Sequence, residues 1–191
     1  MMKVGAVSRP VKNRELCGDA YLFLERNNET LIAVIDGLGQ GAEANKASQK
    51  ALEYVKDHAG EDLVEIIRGC HGYIKQTRGV SLGLVRVDRK ANRFSCCSVG
   101  NIETRILNKR SRQPISTAGI VGYKLSKIRK FEYPYESPGV VLLYSDGVST
   151  GFDPSEYPHL RLDPQRAAEQ IIEEWGKETD DATILIAVET Q

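Results

Sequence analysis

Residues 31–41, LIAVIDGLGQG, place one acid directly after a run of strand-forming apolar residues. A short apolar run of this kind favours a buried strand, and the three glycines that follow within five positions end it. Asp36 therefore leaves a buried element and enters backbone with almost no side chains around it. A carboxylate in this setting is open to a ligand, because a neighbouring glycine lets carbonyl groups and water approach without a Cβ in the way.

Other acids occupy similar positions at the ends of predicted strands. They are Asp146, which with Gly147 follows the predicted strand 139–145, the pair Asp180 and Asp181 before the predicted strand 182–189, and Asp19 before the predicted strand 20–25. Carboxylates gathered at one point repel one another unless a cation neutralises them. Most of these acids have no His or Cys near them in the sequence. An oxygen-only ligand set suits a hard ion such as Mg²⁺ or Mn²⁺. Each Asp-Gly taken singly is equally an ordinary turn, and spacing alone does not show that the acids converge.

Hydrophobic periodicity divides the chain into strands that come in runs and helices that come as a pair and a single. Strands are predicted at 3–8, 20–25, 31–35, 80–87, 93–99, 103–107, 130–135, 139–145 and 182–189. Helices are predicted at 43–57 and 61–75, and a third begins at Asp163-Pro164 and is stopped by Gly176. Grouped strands joined by hairpins predict an α+β fold with antiparallel sheets, in one domain spanning residues 1–191.

Length and composition narrow the class of protein. The chain has 191 residues, and Lys plus Arg balance Asp plus Glu at 26 each, so no overall charge calls for nucleic acid or an anionic membrane. The N-terminal residues show no signal peptide, and no run is long enough to span a bilayer. The four cysteines lack a metal-binding or disulfide spacing, which predicts small apolar residues in a reducing cytoplasm. We therefore expect a cytoplasmic protein with no nucleic-acid or membrane partner.

Five short motifs follow one another along the chain: CGD at 17–19, IDGLGQG at 35–41, SVGN at 98–101, SDG at 145–147 and DDAT at 180–183. Their order resembles the metal-dependent PPM (PP2C-like) protein phosphatases, in their SpoIIE-type bacterial branch. The resemblance covers residue 15 to the C-terminus, and details such as CGDAYLF and CSVGN are similar to the small stressosome phosphatases of that branch. It implies an αββα sandwich, two antiparallel sheets flanked by helices, with a metal centre at one end of the sheets.

The resemblance also implies a ligand set and a reaction. Asp36 would bridge two Mn²⁺ or Mg²⁺ ions, the Gly37 carbonyl would bind one of them, and Asp146 and Asp180 would complete the shell of the second. Asp19 would be a further ligand, directly or through water, and the number of ions is two or three. Asp36 and Asp146 would thus be catalytic through water, which attacks phosphoserine or phosphothreonine with no covalent phosphoenzyme.

Some positions leave alternatives open. Asp180 is preferred to Asp181 as the ligand because it matches the first acid of the family's pair. Arg14 resembles the phosphate-contacting arginine of eukaryotic members, although an exposed loop arginine is the alternative. Leu38 stands where those members often carry a histidine proposed to protonate the leaving oxygen. His58, His71 and His159 are predicted to be structural or exposed, so the leaving-group acid is not identified.

The implied substrates are phosphorylated STAS-domain proteins of the stressosome, and the sequence leaves two alternative functions. Residues 37–42 fit the dinucleotide fingerprint Gly-x-Gly-x-x-Ala between a strand and a helix. That interpretation requires a parallel strand ending in an acid after the helix, where a second helix is predicted. A non-catalytic phosphoprotein-binding module is the other alternative, and the presence of all the matched acids favours an enzyme over it.

Overall fold

Two antiparallel sheets and three helices make up the computed structural model, which describes residues 2–135 and 139–190. The strands are β1 (Met2–Arg9), β2 (Asp19–Arg26), β3 (Glu29–Gly37), β4 (Val80–Asp88), β5 (Arg93–Val99), β6 (Glu103–Leu107), β7 (Gly119–Ile120), β8 (Lys124–Leu125), β9 (Lys130–Pro134), β10 (Val140–Tyr144) and β11 (Ala182–Glu189). The helices are α1 (Ala42–Asp57), α2 (Leu63–Tyr73) and α3 (Pro164–Trp175), with a 3₁₀ turn at Pro154–Glu156. Every predicted helix and strand is present.

The sheets pack face to face between layers of helix. One sheet has the strand order β2-β3-β4-β5-β9 and carries α1 and α2 on its outer face. The other has the order β1-β11-β10-β6 and carries α3 on its outer face. A third apolar cluster fills the space between the two sheets. The predicted αββα sandwich is therefore confirmed, and the small hairpin β7-β8 is an element that the periodicity did not predict.

Side-chain alternation decides which residues lie between the sheets. In β3, Ile32 and Val34 pack in the cluster between the sheets, whereas Ile35 packs against the helices. Because successive strand residues point to opposite faces, Asp36 continues the inward row. The structure corrects one boundary here, since β3 extends through Gly37 and Asp36 is a strand residue rather than the first residue after it. The extra length comes from pairing of β3 with both β2 and β4.

Helix α1 contacts the sheet through small residues. Its buried apolar positions are Ala44, Ala47, Ala51 and Val55, the face that the periodicity predicts. The α1 backbone comes so close to β3 that a Cβ on Gly37 would collide with the carbonyl oxygen of Ala44. The glycine after Asp36 is therefore required by helix packing as well as by its position beside the acid.

The topology is incompatible with the dinucleotide-binding interpretation. Strand β3 pairs antiparallel with both of its neighbours, and α1 leads directly into α2 within the described part of the chain. A parallel strand–helix–strand unit is thus missing at residues 37–42. Within 2–135 and 139–190, we also find no helix with the length and apolar character that crossing a membrane requires.

The contact between β1 and α3 yields a test of the packing. We expect Gly5→Ala to lower the free energy of unfolding by about 1–3 kcal/mol, because the added Cβ would collide with the backbone of Pro164 and Gln165 at the start of α3. Urea denaturation measures the change. The control is Gly72→Ala in α2, where a Cβ would have no neighbour within 4 Å and should leave stability unchanged or slightly higher. Equal effects of the two substitutions would contradict this packing.

Candidate active site

Acids from both sheets meet at one edge of the sandwich. Asp19 and Asp36 are directly opposite each other in the β2-β3 register, so their side chains share a face and their Cβ atoms lie about 5 Å apart. Asp146 follows β10 and Asp180 precedes β11, and these strands are neighbours in the other sheet. The structure thus brings together the four acids whose convergence spacing alone did not show.

The acids at this edge lie close enough together to raise one another's pKa values. Burial, and then the charges of Asp19, Asp146 and Asp180, raise the pKa of Asp36 to about 8. Burial also raises the pKa of Asp19 to about 6, against hydrogen bonds from Ser145 and other polar groups that lower it. The pKa of Asp180 is raised in the same direction, first by burial and then by Asp146. A cation at this edge would relieve the repulsion.

Ser145 links the two sheets at the acidic edge. Its fully buried hydroxyl donates to Asp19 Oδ2 over 2.6 Å and accepts from the backbone amide of Thr183 over 3.0 Å. Asp19 is only 4% exposed, and its other oxygen, Oδ1, is buried without a hydrogen-bond partner in the described part of the protein. An orphaned buried carboxylate oxygen is costly unless a ligand, such as a cation or its water, satisfies it.

An open groove of about 710 Å³ lies over these acids. Its lining consists of Arg14, Asp36, Leu38, Gly39, Gln40, Arg78, Asn101, Asp146 and Asp180. The Asn101 amide donates to Asp146 Oδ2 over 2.5 Å, and its hydrogen bond to Asp36 lowers the pKa of that acid. Lys177 donates to the backbone carbonyl of Asp146 over 2.6 Å. These contacts hold the end of β10 in place beside the groove.

Asp180 and Asp181 have different surroundings. Asp181 is 3% exposed, and its two carboxylate oxygens accept from the backbone amides of Val11 and Gly18 over 2.8 and 2.9 Å. Both of its oxygens are therefore occupied in tying the N-terminal loop to the start of β11. Asp180 is half-buried and lines the groove. Of the two, only Asp180 lines the groove, and its Oδ1 accepts from the amide of Asp181 over 2.9 Å while its other oxygen is available to a ligand there.

The residues present fit divalent metal ions that keep part of their hydration shell. Across residues 2–135 and 139–190, no three His, Cys, Asp or Glu side chains converge closely enough to hold an ion alone. Mg²⁺ commonly binds through one or two carboxylates and retains several waters, so a complete protein cage is unnecessary. The available donors at this edge are carboxylate and carbonyl oxygens. Cys17, the nearest thiol in sequence, is not a competing ligand because burial raises its pKa to about 11.

The remaining predicted positions divide into those in the groove and those elsewhere. Arg14 and Leu38 line the groove. None of the three histidines does so: His71 accepts from the amide of Gly122, while His58 and His159 contact Tyr54 and Gln170. The sequence gives no signal for Arg78, which is a lone arginine between a predicted helix and a predicted strand. Asn101 belongs to the SVGN motif, but the motif alone predicts no role for it.

Known proteins are similar to this chain over most of its length. A family model described as stage II sporulation protein E (SpoIIE) matches residues 26–189. The phosphoserine phosphatase RsbX of Bacillus subtilis (strain 168) is 29% identical over 153 residues, which are 78% of this chain and 75% of RsbX.

Solved structures share the fold of this protein over nearly the whole chain. A chain from a study of the bacterial stressosome as a modular system adapted to control secondary messenger signalling is 31% identical, with a TM-score of 0.94 and coverage of 98% of this chain and 99% of that one. A crystal structure of RsbX in complex with magnesium has a TM-score of 0.84 at 24% identity, covering 98% of this chain and 94% of that one. At 24% identity, the similarity to the RsbX structure is evidence for the fold alone.

The two neighbouring acids are predicted to respond differently to substitution. Asp181→Ala removes the acceptor of two backbone amides, so we expect a loss of about 2–4 kcal/mol in the free energy of unfolding, measured in EDTA. Asp180→Ala should leave that free energy close to wild type and weaken Mn²⁺ binding at least about tenfold, measured by calorimetry. A comparable loss of stability in both variants would contradict the different surroundings of these acids.

The raised pKa of Asp36 predicts a pH dependence of the metal-free protein. A carboxyl group with a folded pKa of about 8 stabilises the fold below its unfolded pKa of about 4, and this contribution is lost as the pH rises through 8. We expect wild-type stability in EDTA to fall between pH 5 and pH 8 by on the order of 3 kcal/mol more than that of Asp36→Asn. Parallel pH profiles of the two proteins, measured by urea denaturation, would show that the group does not titrate in this way.

Proposed function

Because this chain belongs to the SpoIIE family, with the PP2C-like αββα fold, we propose that it is a metal-dependent protein phosphatase acting on phosphoserine or phosphothreonine. One observation carries the proposal: carboxylates from both sheets meet in a groove that also carries two guanidinium groups. Such a groove has donors for divalent cations and for the phosphate that those cations would help to bind. The phosphoserine phosphatase RsbX, similar over most of this chain, supports the same chemistry.

We assign the metal ligands to the acids of the edge. Asp36 and the Gly37 carbonyl, Asp146 and Asp180 would hold two Mn²⁺ or Mg²⁺ ions, with Asp19 as a further ligand or as the site of a third. When bound, such ions lower the pKa of water and neutralise charge on a phosphoryl group during in-line displacement. The protein's part is to fix the oxygen atoms, and Ser145 and Asn101 do so by hydrogen bonds to Asp19 and Asp146.

The open groove suits a phosphorylated segment of a folded protein. Leu38 is 46% exposed at its rim, and its side chain has no proton to donate. No histidine lines the groove within the described residues, so the proton for the leaving oxygen would come from solvent or from another group. Arg14 would contact the phosphate, because a guanidinium binds phosphate oxygens through two parallel hydrogen bonds.

We further propose that the substrates are phosphorylated STAS-domain proteins of the stressosome, acted on in the cytoplasm by one domain formed of residues 1–191. Removal of their phosphate would act as negative feedback in stress signalling. Two relatives support this assignment: RsbX, and the chain solved in the study of the bacterial stressosome. The substrate class rests on those similarities, whereas the reaction also rests on the groove.

Hydrolysis assays test the proposed reaction. We expect wild-type protein with Mn²⁺ to release phosphate from p-nitrophenyl phosphate and from a phosphorylated STAS-domain protein, and EDTA to abolish both activities. Asp36→Asn should lower kcat/KM by about 100-fold or more, since it removes a charged ligand of the centre. The control is Asp57→Asn, the same change at an exposed position at the end of α1. Activity that persists in EDTA or in Asp36→Asn would refute the metal-dependent mechanism.

A further inference from the structure

Arg78 lies on the connection between α2 and β4 and lines the groove beside the acids. We propose that Arg78 binds the phosphoryl group of the substrate, so that two arginines from separate parts of the chain flank the phosphate. The inference rests on the proposed phosphatase function. It concerns a substrate contact and leaves the ligands of the metal unchanged.

The glycine-rich turn after β3 makes room for both guanidinium groups. Arg78 Nη1 lies 2.7 Å from the position that a Cβ would occupy on Gly39, and Arg14 Nη1 lies 3.4 Å from the corresponding position on Gly41. Both glycines have positive φ angles, 92° and 73°, which residues with a Cβ rarely adopt. The turn therefore presents bare backbone to the groove, and the two arginine side chains occupy the space that side chains on the turn would need.

The backbone that carries Arg78 is held in place by hydrogen bonds. Thr77 accepts and donates within the turn: its hydroxyl donates to the carbonyl of Ile74 over 2.7 Å and accepts from the amide of Gly79 over 3.1 Å. The amide of Leu38 donates to the carbonyl of Gly79 over 3.0 Å. The segment is thus tied both to the end of α2 and to the glycine-rich turn, and this double connection directs Arg78 to the groove.

The guanidinium groups of Arg14 and Arg78 do not stabilise the fold through polar contacts within the described residues. Neither guanidinium forms a hydrogen bond or an ion pair with another residue of the described chain, although three groove acids lie nearby. Arg86 and Arg105, in contrast, donate to backbone carbonyls and are largely buried. Exposed arginines beside a site that binds cations do not stabilise the fold, because the bound metal would repel their positive charge. A phosphate dianion attracts both the metal and the guanidinium groups.

The test compares Arg78→Met and Arg78→Lys with the control Lys75→Met, which removes an exposed cation three residues earlier and outside the groove. Inorganic phosphate serves as the probe, both as a competitive inhibitor of p-nitrophenyl phosphate hydrolysis and in direct calorimetric titration of the Mn²⁺-loaded protein. We expect Arg78→Met to raise the inhibition and dissociation constants for phosphate about tenfold, as for loss of a charged hydrogen bond. Arg78→Lys should recover part of the loss, and the Mn²⁺ concentration for half-maximal activity should not change.

Three results would overturn the proposal. Phosphate constants that stay at the wild-type value in Arg78→Met would show that Arg78 does not contact the phosphate. A changed Mn²⁺ requirement with unchanged phosphate binding would place its effect on the metal centre or the fold. A raised KM confined to a phosphoprotein substrate would show that it contacts polypeptide instead. If the wild type hydrolyses no phosphate ester, the proposed function fails, and the calorimetric titrations still decide whether Arg78 binds phosphate.

Discussion

Mutual repulsion among carboxylates at one sheet edge is the constraint on which the rest of this structure depends. Asp36 is half-buried beside Asp19 and faces the acids of the other sheet, and its partial burial and the neighbouring charges raise its pKa to about 8. Like charges directly opposite each other in a sheet are destabilising, and a cation bound at this edge would offset that repulsion. The surrounding contacts are therefore best understood as holding an unfavourable arrangement ready for cations.

Several uncharged groups hold that arrangement in place. Ser145 connects Asp19 to the backbone of the opposite sheet, and Asn101 binds the acid that ends β10. Asp181, an acid itself, has a different part, since it binds two backbone amides of the N-terminal loop that carries Arg14. One acidic pair thus places a carboxylate in the groove at one position and forms a structural contact at the next. Residues that support metal ligands fix the orientation of those ligands, and replacing them commonly lowers metal affinity or activity by about 10- to 100-fold.

The glycine-rich segment after β3 serves packing and binding at once. Gly37 lets α1 approach the sheet, and the glycines that follow leave bare backbone beneath two unpaired arginines. Within the described residues, the groove acids and the two arginines line the same groove without forming ion pairs with one another, so both kinds of charge are available to ligands.

The sequence by itself determined the helices, most of the strands, the antiparallel sheets and the acids at strand ends, because alternation and helical periodicity report which face of each element is apolar. The sandwich was implied by the resemblance to a known family. The order of five motifs was also enough to identify the family. Only the tertiary structure decided which of Asp180 and Asp181 faces the groove, that Ser145 bridges the sheets, and that Arg78 belongs to the site. These depend on contacts between residues far apart in the chain, and local pattern carries no information about which distant groups a side chain meets.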